Sequence, residues 1–153
     1  MIVQIERQTT AQTINNNTIT TATFTTIVYN EMNFTFGTAP YSEVTVNIEG
    51  TYIITANVGF DSGTTGYRAM FLQLNNPNIN PPFGTWDTIS SAYVGATIAG
   101  IKQLNCSAIT RLNAGNKIRL RYFQTQGTGI STALSNSTNG TPNPTLSIAL
   151  IVP

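Results

Sequence analysis

Between Gly50 and Asp61 the chain alternates with a period of two: Tyr52, Ile54, Ala56, Val58 and Phe60 fall on one side, and Ile53, Thr55, Asn57 and Gly59 on the other. A repeat of two is the signature of an extended strand with one buried face, because successive side chains of a strand point to opposite sides. The same reading applies at Val44, Val46 and Ile48, at Ile118, Leu120 and Tyr122, and in the apolar run Thr145 to Val152. No stretch carries a useful helical period. Composition explains why. Thr and Asn together make up roughly a quarter or more of the 153 residues, where an average chain favours Leu, Ala, Glu and Lys. Thr is β-branched and suits strands, and Asn suits turns, so this is a strand-and-turn chain.

Turn chemistry divides the rest. Breaks are expected at Asn15-Asn16-Asn17, at Gly37-Thr38-Ala39-Pro40, at Asp61 to Gly66 and at Leu112 to Gly115. Strands are expected over the Phe24–Val28 region, Phe34–Phe36, Tyr67–Leu74, Ile101–Ile109 and Lys117–Gln124. Two long loops are expected, Asn75 to Asp87 with three prolines, and Gly127 to Pro144. Eight to ten short strands with no internal repeat and no linker predict one all-β domain over residues 1–153, a sandwich or jelly roll. Residues 1–12 read either as an N-terminal arm or as the first strand.

Four motifs, in order, carry a family resemblance. Gly50-Thr51-Tyr52-Ile53-Ile54-Thr55-Ala56 resembles the G-x-Y-x-apolar strand of the C1q/TNF-like superfamily. Gly66 to Asn75 resembles its next strand, Leu112-Asn113-Ala114-Gly115-Asn116-Lys117-Ile118-Arg119-Leu120 its L-x-A-G-N turn and strand, and Leu146 to Ile151 its closing strand. The likeness covers roughly Phe24 to Val152 and is nearest the bacteriophage and bacterial branch. The chain departs from animal C1q domains in having Ile54 and Ala56 where those carry aromatics, and no collagen-like repeat precedes the domain. The resemblance implies a two-sheet antiparallel jelly roll that assembles as a homotrimer. It leaves the ligand open.

Charge and reactive side chains narrow the function. Only 8 % of residues are charged and the net charge is +1. The seven basic residues form no run, so the electrostatic footprint of a nucleic-acid binder is missing. Seven Phe, six Tyr and one Trp with so few charges predict that some apolar surface meets sister chains. The chain has no His and a single cysteine. That leaves no catalytic triad, no Cys–His pair and no ordinary zinc site. Cys106, in a strand-like stretch, reads as a small buried hydrophobe; a reactive thiol or an intermolecular bridge is the alternative. Asp61 and Asp87 are the one carboxylate pair that could be set across a cleft, but a loop Asp is more often a turn cap, and Asp61 with Ser62 and Thr64 is too thin a cluster for calcium. Catalytic, cofactor and metal sites are therefore expected to be absent.

Two segments are candidates for contact. The loop with Phe83, Trp86 and Asp87 could anchor a partner, or its aromatics could tuck under their own loop. Ile2, Val3, Ile5 and Arg7 could form an arm against a capsid by strand addition, or lie in the protein's own sheet. No signal peptide precedes the fold and no apolar run reaches membrane-spanning length, so no membrane insertion is expected. Members of the resembled branch serve as capsid decoration proteins or as fibre tips. A chain that opens almost inside the fold and closes on its last strand favours the first. The expectation is thus a non-enzymatic trimer on a virion surface, contacting the major capsid protein or another virion protein. A receptor- or glycan-binding fibre tip that meets a host surface glycan is the alternative, and a spore-surface or secreted extracellular protein a third.

Overall fold

The computed structural model describes residues 1–31, 34–61, 63–75, 85–95, 100–135 and 142–152. Every regular element among them is a strand. In chain order these are β1 (Ile2–Glu6), β2 (Thr13–Ile14), β3 (Thr20–Thr21), β4 (Thr26–Asn30), β5 (Phe34–Phe36), β6 (Val44–Val46), β7 (Gly50–Phe60), β8 (Tyr67–Asn75), β9 (Trp86–Gly95), β10 (Lys102–Leu112), β11 (Lys117–Gln124), β12 (Ile130–Ala133) and β13 (Thr145–Val152).

They form two antiparallel sheets. In the first, β7 is the axis: β10 pairs with it from Gly50 to Phe60, and β13 takes the opposite edge from Thr51 to Asn57. β12 continues that edge at Gly59 and Phe60 and is itself paired with β2, while β1 and β4 extend the sheet beyond β13. The second sheet runs β5-β6-β11-β8-β9, and β3 shares with β6 the edge of β11 that faces away from β8. Burial follows the pleat. Tyr52, Ile54, Val58 and Phe60 from β7, Leu146 and Ile148 from β13, and Val3 and Ile5 from β1 meet Met70, Leu72, Ile118, Leu120 and Tyr122 of the other sheet. Edge-to-face ring pairs, Phe60–Tyr122 at 5.7 Å and Phe34–Tyr52 at 6.1 Å, lie within the core.

Two glycines are fixed by geometry. Gly115 has φ +89° in the turn between β10 and β11, where the buried Asn116 side chain accepts the Asn113 N–H at 2.9 Å and Gly115 N–H donates to Val46 O at 2.8 Å. Gly66 has φ +69°, and a Cβ there would collide with the Thr125 carbonyl oxygen. Beside it Arg68 is wholly buried. Its guanidinium donates to the carbonyl oxygens of Thr65 and Tyr67 and to Gln126 Oε1 at 2.6 Å, tying the 63–66 turn to the segment after β11.

Three expectations need correction. Residues 2–6 are not a free arm: they lie between β13 and β4, and Val3 and Ile5 point into the core because their set shares the buried face of the pleat. Trp86 and Asp87 are not loop residues but the start of the ten-residue β9. The segment Gly127 to Pro144 is not all loop, since Ile130–Ala133 pairs with both β2 and β7. The predicted bounds of β11 and β13 agree with the structure residue for residue.

The burial pattern of β7 sets a contrast. Ile54→Ala should lower stability by about 2–5 kcal/mol through the cavity it leaves, and Thr55→Ala, one residue on but facing outward, by no more than about 0.5 kcal/mol. Urea unfolding of the two variants measures the difference.

Candidate interaction surfaces

The outer face of the first sheet is ordered in rows that run across its strands. One row reads Ile109, Ile53, Ala149 and Ile2, from β10 through β7 and β13 to β1. The next reads Ser107, Thr55, Ser147 and Gln4, ending at Tyr29 of β4. Ile109 is 69 % exposed and Ile53 36 %, and Ile151 and Val152 are exposed at the adjoining end of β13. Arg111 bounds the apolar row, but its charge is met by Glu49 at 2.7 Å. The centre of the face thus has hydroxyl and amide groups beside an aliphatic stripe, without an unpaired charge among the residues named. The outward half of β7 and β10 is therefore wetted by neutral Thr, Ser, Asn and Gln side chains, with Ile53 and Ile109 as its apolar interruption.

The outer face of the second sheet is aromatic and cationic. Trp86 opens β9, and the Arg119 guanidinium of β11 lies over its ring, 3.8 Å from the centroid. Arg119 Nε also donates to Gln73 Oε1 at 3.0 Å. Farther along, Phe123, Ala69 and Tyr93 are direct neighbours across β11, β8 and β9. Two ring pairs, Phe71–Tyr93 at 5.9 Å and Tyr67–Phe123 at 5.6 Å, surround that alanine and bury it completely although it faces outward. Of the sequence candidates, Trp86 is therefore committed to Arg119, Asp87 is exposed opposite Leu74, and Phe83 lies outside the described residues.

No family model matches the chain, and no curated protein sequence matches it. Solved structures do. The chain is similar to the Eiger TNF of S. frugiperda (TM-score 0.67, 13 % identity, covering 99 % of this chain and 92 % of that one). It is similar also to murine APRIL in two crystal structures (TM-scores 0.69 and 0.70, 12 % identity, 98 % of both chains). The fold is a TNF-like jelly roll. At these identities the likeness concerns the backbone, and the side chains on the two outer faces have to be read from this chain itself.

The carboxylates of the TNF-like sandwich are dispersed. Glu49 pairs with Arg111, Glu43 with Lys117 at 3.3 Å, and Glu31 with the amino terminus at 3.5 Å; Glu6 accepts hydrogen bonds from Gln4 and Gln8. Asp61 and Asp87 belong to different ends of the fold, Asp61 following β7 and Asp87 opening β9. Among the described residues no three His, Cys, Asp or Glu side chains gather to hold a metal ion. Arg7, a sequence candidate for capsid contact, instead donates to the Thr23 carbonyl oxygen at 3.0 Å and holds the chain beside β3.

A cleft of about 540 Å³ opens where the free edges of β9 and β10 approach each other, lined by Ser90, Ser91, Asn105, Cys106 and Ser107 together with Thr55, Ala56 and Asn57 of β7. Cys106 is only 8 % exposed, and burial pushes its thiol up to about 11 despite a hydrogen bond with Ser90. A raised thiol pKa favours the neutral form, so at pH 8 only about 0.1 % is thiolate. The thiol should react with a disulfide reagent at pH 8 at least about 100-fold more slowly in the native protein than in urea, with the native rate rising as pH approaches 11. Absorbance of the released chromophore checks both.

Proposed function

We propose that this chain is a non-enzymatic binding module that assembles as a homotrimer through the outer face of its first sheet and decorates the surface of a bacteriophage capsid. The observation that carries self-association is the row Ile109, Ile53, Ala149 and Ile2. An aliphatic stripe flanked by Ser, Thr and Gln, with its bounding arginine already paired, is self-complementary: a second copy meets it without burying an unpaired charge. The TNF-like backbone and the four sequence motifs support the trimer as the form of that assembly. The scattered carboxylates and the absence of histidine support a role without catalysis.

The capsid role rests on the phage-like motifs and on a nearly neutral chain. Low charge lets identical modules pack densely without mutual repulsion. In this reading the trimer bridges neighbouring subunits of the major capsid protein and resists pressure from inside. The second reading, a receptor- or glycan-binding fibre tip, is favoured by one observation, the aromatic and arginine-bearing face of the second sheet.

Light scattering should give three chain masses for the native protein. Ile109→Arg, which puts a charge of the same sign on every copy at the exposed β10 end of the row, should give monomers with unchanged stability. A native monomer would overturn the assembly. The capsid role has its own test. An antibody to the folded domain should label source particles evenly over the shell, and particles lacking the protein should open at a lower temperature. Label confined to fibre tips would transfer the chain to the second reading.

A further inference from the structure

The second sheet presents its aromatic face on the side of the sandwich opposite the self-association row, so a ligand bound there is independent of the trimer. Along β11 the outward positions are Lys117, which pairs with Glu43, and then Arg119, Arg121 and Phe123. The two arginines are separated by one residue and share a face, so their side chains stand about 7 Å apart at their roots. Neither forms an ion pair among the described residues. Arg119 uses its Nε–H on Gln73 and its flat side on Trp86, and Arg121 reaches the Ile19 carbonyl oxygen at 3.3 Å. Glu43, the acid whose charge reaches Arg119, is engaged by Lys117. Two like charges held side by side destabilise each other and are relieved by an anion. Trp86 fixes where one of them sits.

Directly beside them lie the two ring pairs. Tyr93 is 62 % exposed and Tyr67 43 %, more than rings serving only to cover Ala69 would need. The face therefore offers two things next to each other: fixed guanidinium groups that donate to a carboxylate or sulfate, and exposed rings for an apolar, disc-shaped group. An acidic sugar carries both, with a charged substituent on a ring whose C–H faces are apolar. Nucleic acid fits less well, because a phosphate backbone needs a track of cations and this face has two without an ion pair among the described residues, in a chain of net charge +1. A peptide strand would need a free sheet edge, and these groups stand on the middle of the face.

We propose that the outer face of β8, β9 and β11 binds an acidic oligosaccharide, with Arg119 and Arg121 on its carboxylate or sulfate groups and Tyr93 and Tyr67 against its sugar rings. The test is calorimetric titration of the full chain with a chondroitin sulfate hexasaccharide, with uncharged cellohexaose and with a six-residue thymidine oligonucleotide. The sulfated sugar should bind at least about tenfold more tightly than either control. Arg119→Gln and Tyr93→Ala should each weaken it by about tenfold or more. Arg111→Gln, which removes a cation from the other sheet, should leave it unchanged. Circular dichroism establishes that each variant is folded, and a second exposed-ring variant, Tyr67→Ala, replaces any that is not. The proposal fails if the hexasaccharide does not bind at millimolar concentration, if cellohexaose or the oligonucleotide binds as well, or if Arg111→Gln costs as much as Arg119→Gln. A monomeric protein that still binds the sugar would sink the trimer and leave this inference standing.

Discussion

Everything in the sandwich is referred to β7, which has a partner on both edges along nearly its whole length. β10 matches it residue for residue from Gly50 to Phe60, and β13 and β12 share the other edge. A strand bonded on both sides has little freedom to slip, because a one-residue shift would turn Ile54 and Val58 to water and bring Thr55 and Asn57 into the core. The inner set Tyr52, Ile54, Ala56, Val58 and Phe60 thus fixes the register of the first sheet. It also fixes the outer set: once Tyr52 and Ile54 point inward, Ile53 points outward, and its cross-strand neighbours Ile109 and Ala149 follow. The apolar row on the surface is a consequence of the same pairing that builds the core.

That constraint explains what is legible in the sequence. β11 is legible to the residue because it alternates apolar and polar groups against a one-sided core, β13 because it is an apolar run that starts after Pro144, and β7 is legible to within one position. β9 is different. Its sequence, Trp-Asp-Thr-Ile-Ser-Ser-Ala-Tyr-Val-Gly, places Ser90 and Ala92 inward, and a register shift between Leu72 and Gln73 of β8 breaks the period. At a sheet edge the inward groups need not be large, and the alternation that betrays a strand fades. β12 is short and sits in a polar context, and it becomes a strand because Phe60 and Gly59 still have an open edge beyond β13. Neither signal is local to the segment. β1 reads as arm or strand for a similar reason: Ile2, Val3 and Ile5 are apolar on both faces, and only the neighbours β13 and β4 decide which of them is buried.

The surfaces divide in the same way. Trp86 reads from the sequence as a loop anchor for a partner, and its contact with Arg119 within the sheet is not legible, because Arg119 is 33 positions away and is brought beside it only through β8. The four rings around Ala69 do not show in the sequence as a group, being spread over β8, β9 and β11. Their signal is in the register: Phe123, Ala69 and Tyr93 fall in one row, with Tyr67 and Phe71 two residues to either side. An alanine at the centre of an outer face allows the rings to close over it, where a larger side chain would hold them apart.

Scarcity of charge ties these observations together. Arg111 and Lys117 meet carboxylates, but Arg7, Arg68, Arg119 and Arg121 make their hydrogen bonds to neutral carbonyl, amide and hydroxyl oxygens. Arginine suits this use, since its planar fork can satisfy several neutral acceptors at once. For Arg68 that arrangement is closed: it is wholly buried, its acceptors belong to the turns it joins, and desolvation lowers its pKa without releasing it for any ligand. For Arg119 and Arg121 the arrangement is open, because both stand part-exposed on the sheet face beside a like charge, Arg119 with the Trp86 ring on its other side. Burying one arginine among neutral groups makes it a clamp, while leaving two side by side on a sheet face makes them a receptor for negative charge. The first sheet, where Arg111 is neutralised by Glu49, has no such excess. The two faces therefore differ in how each disposes of its few cations.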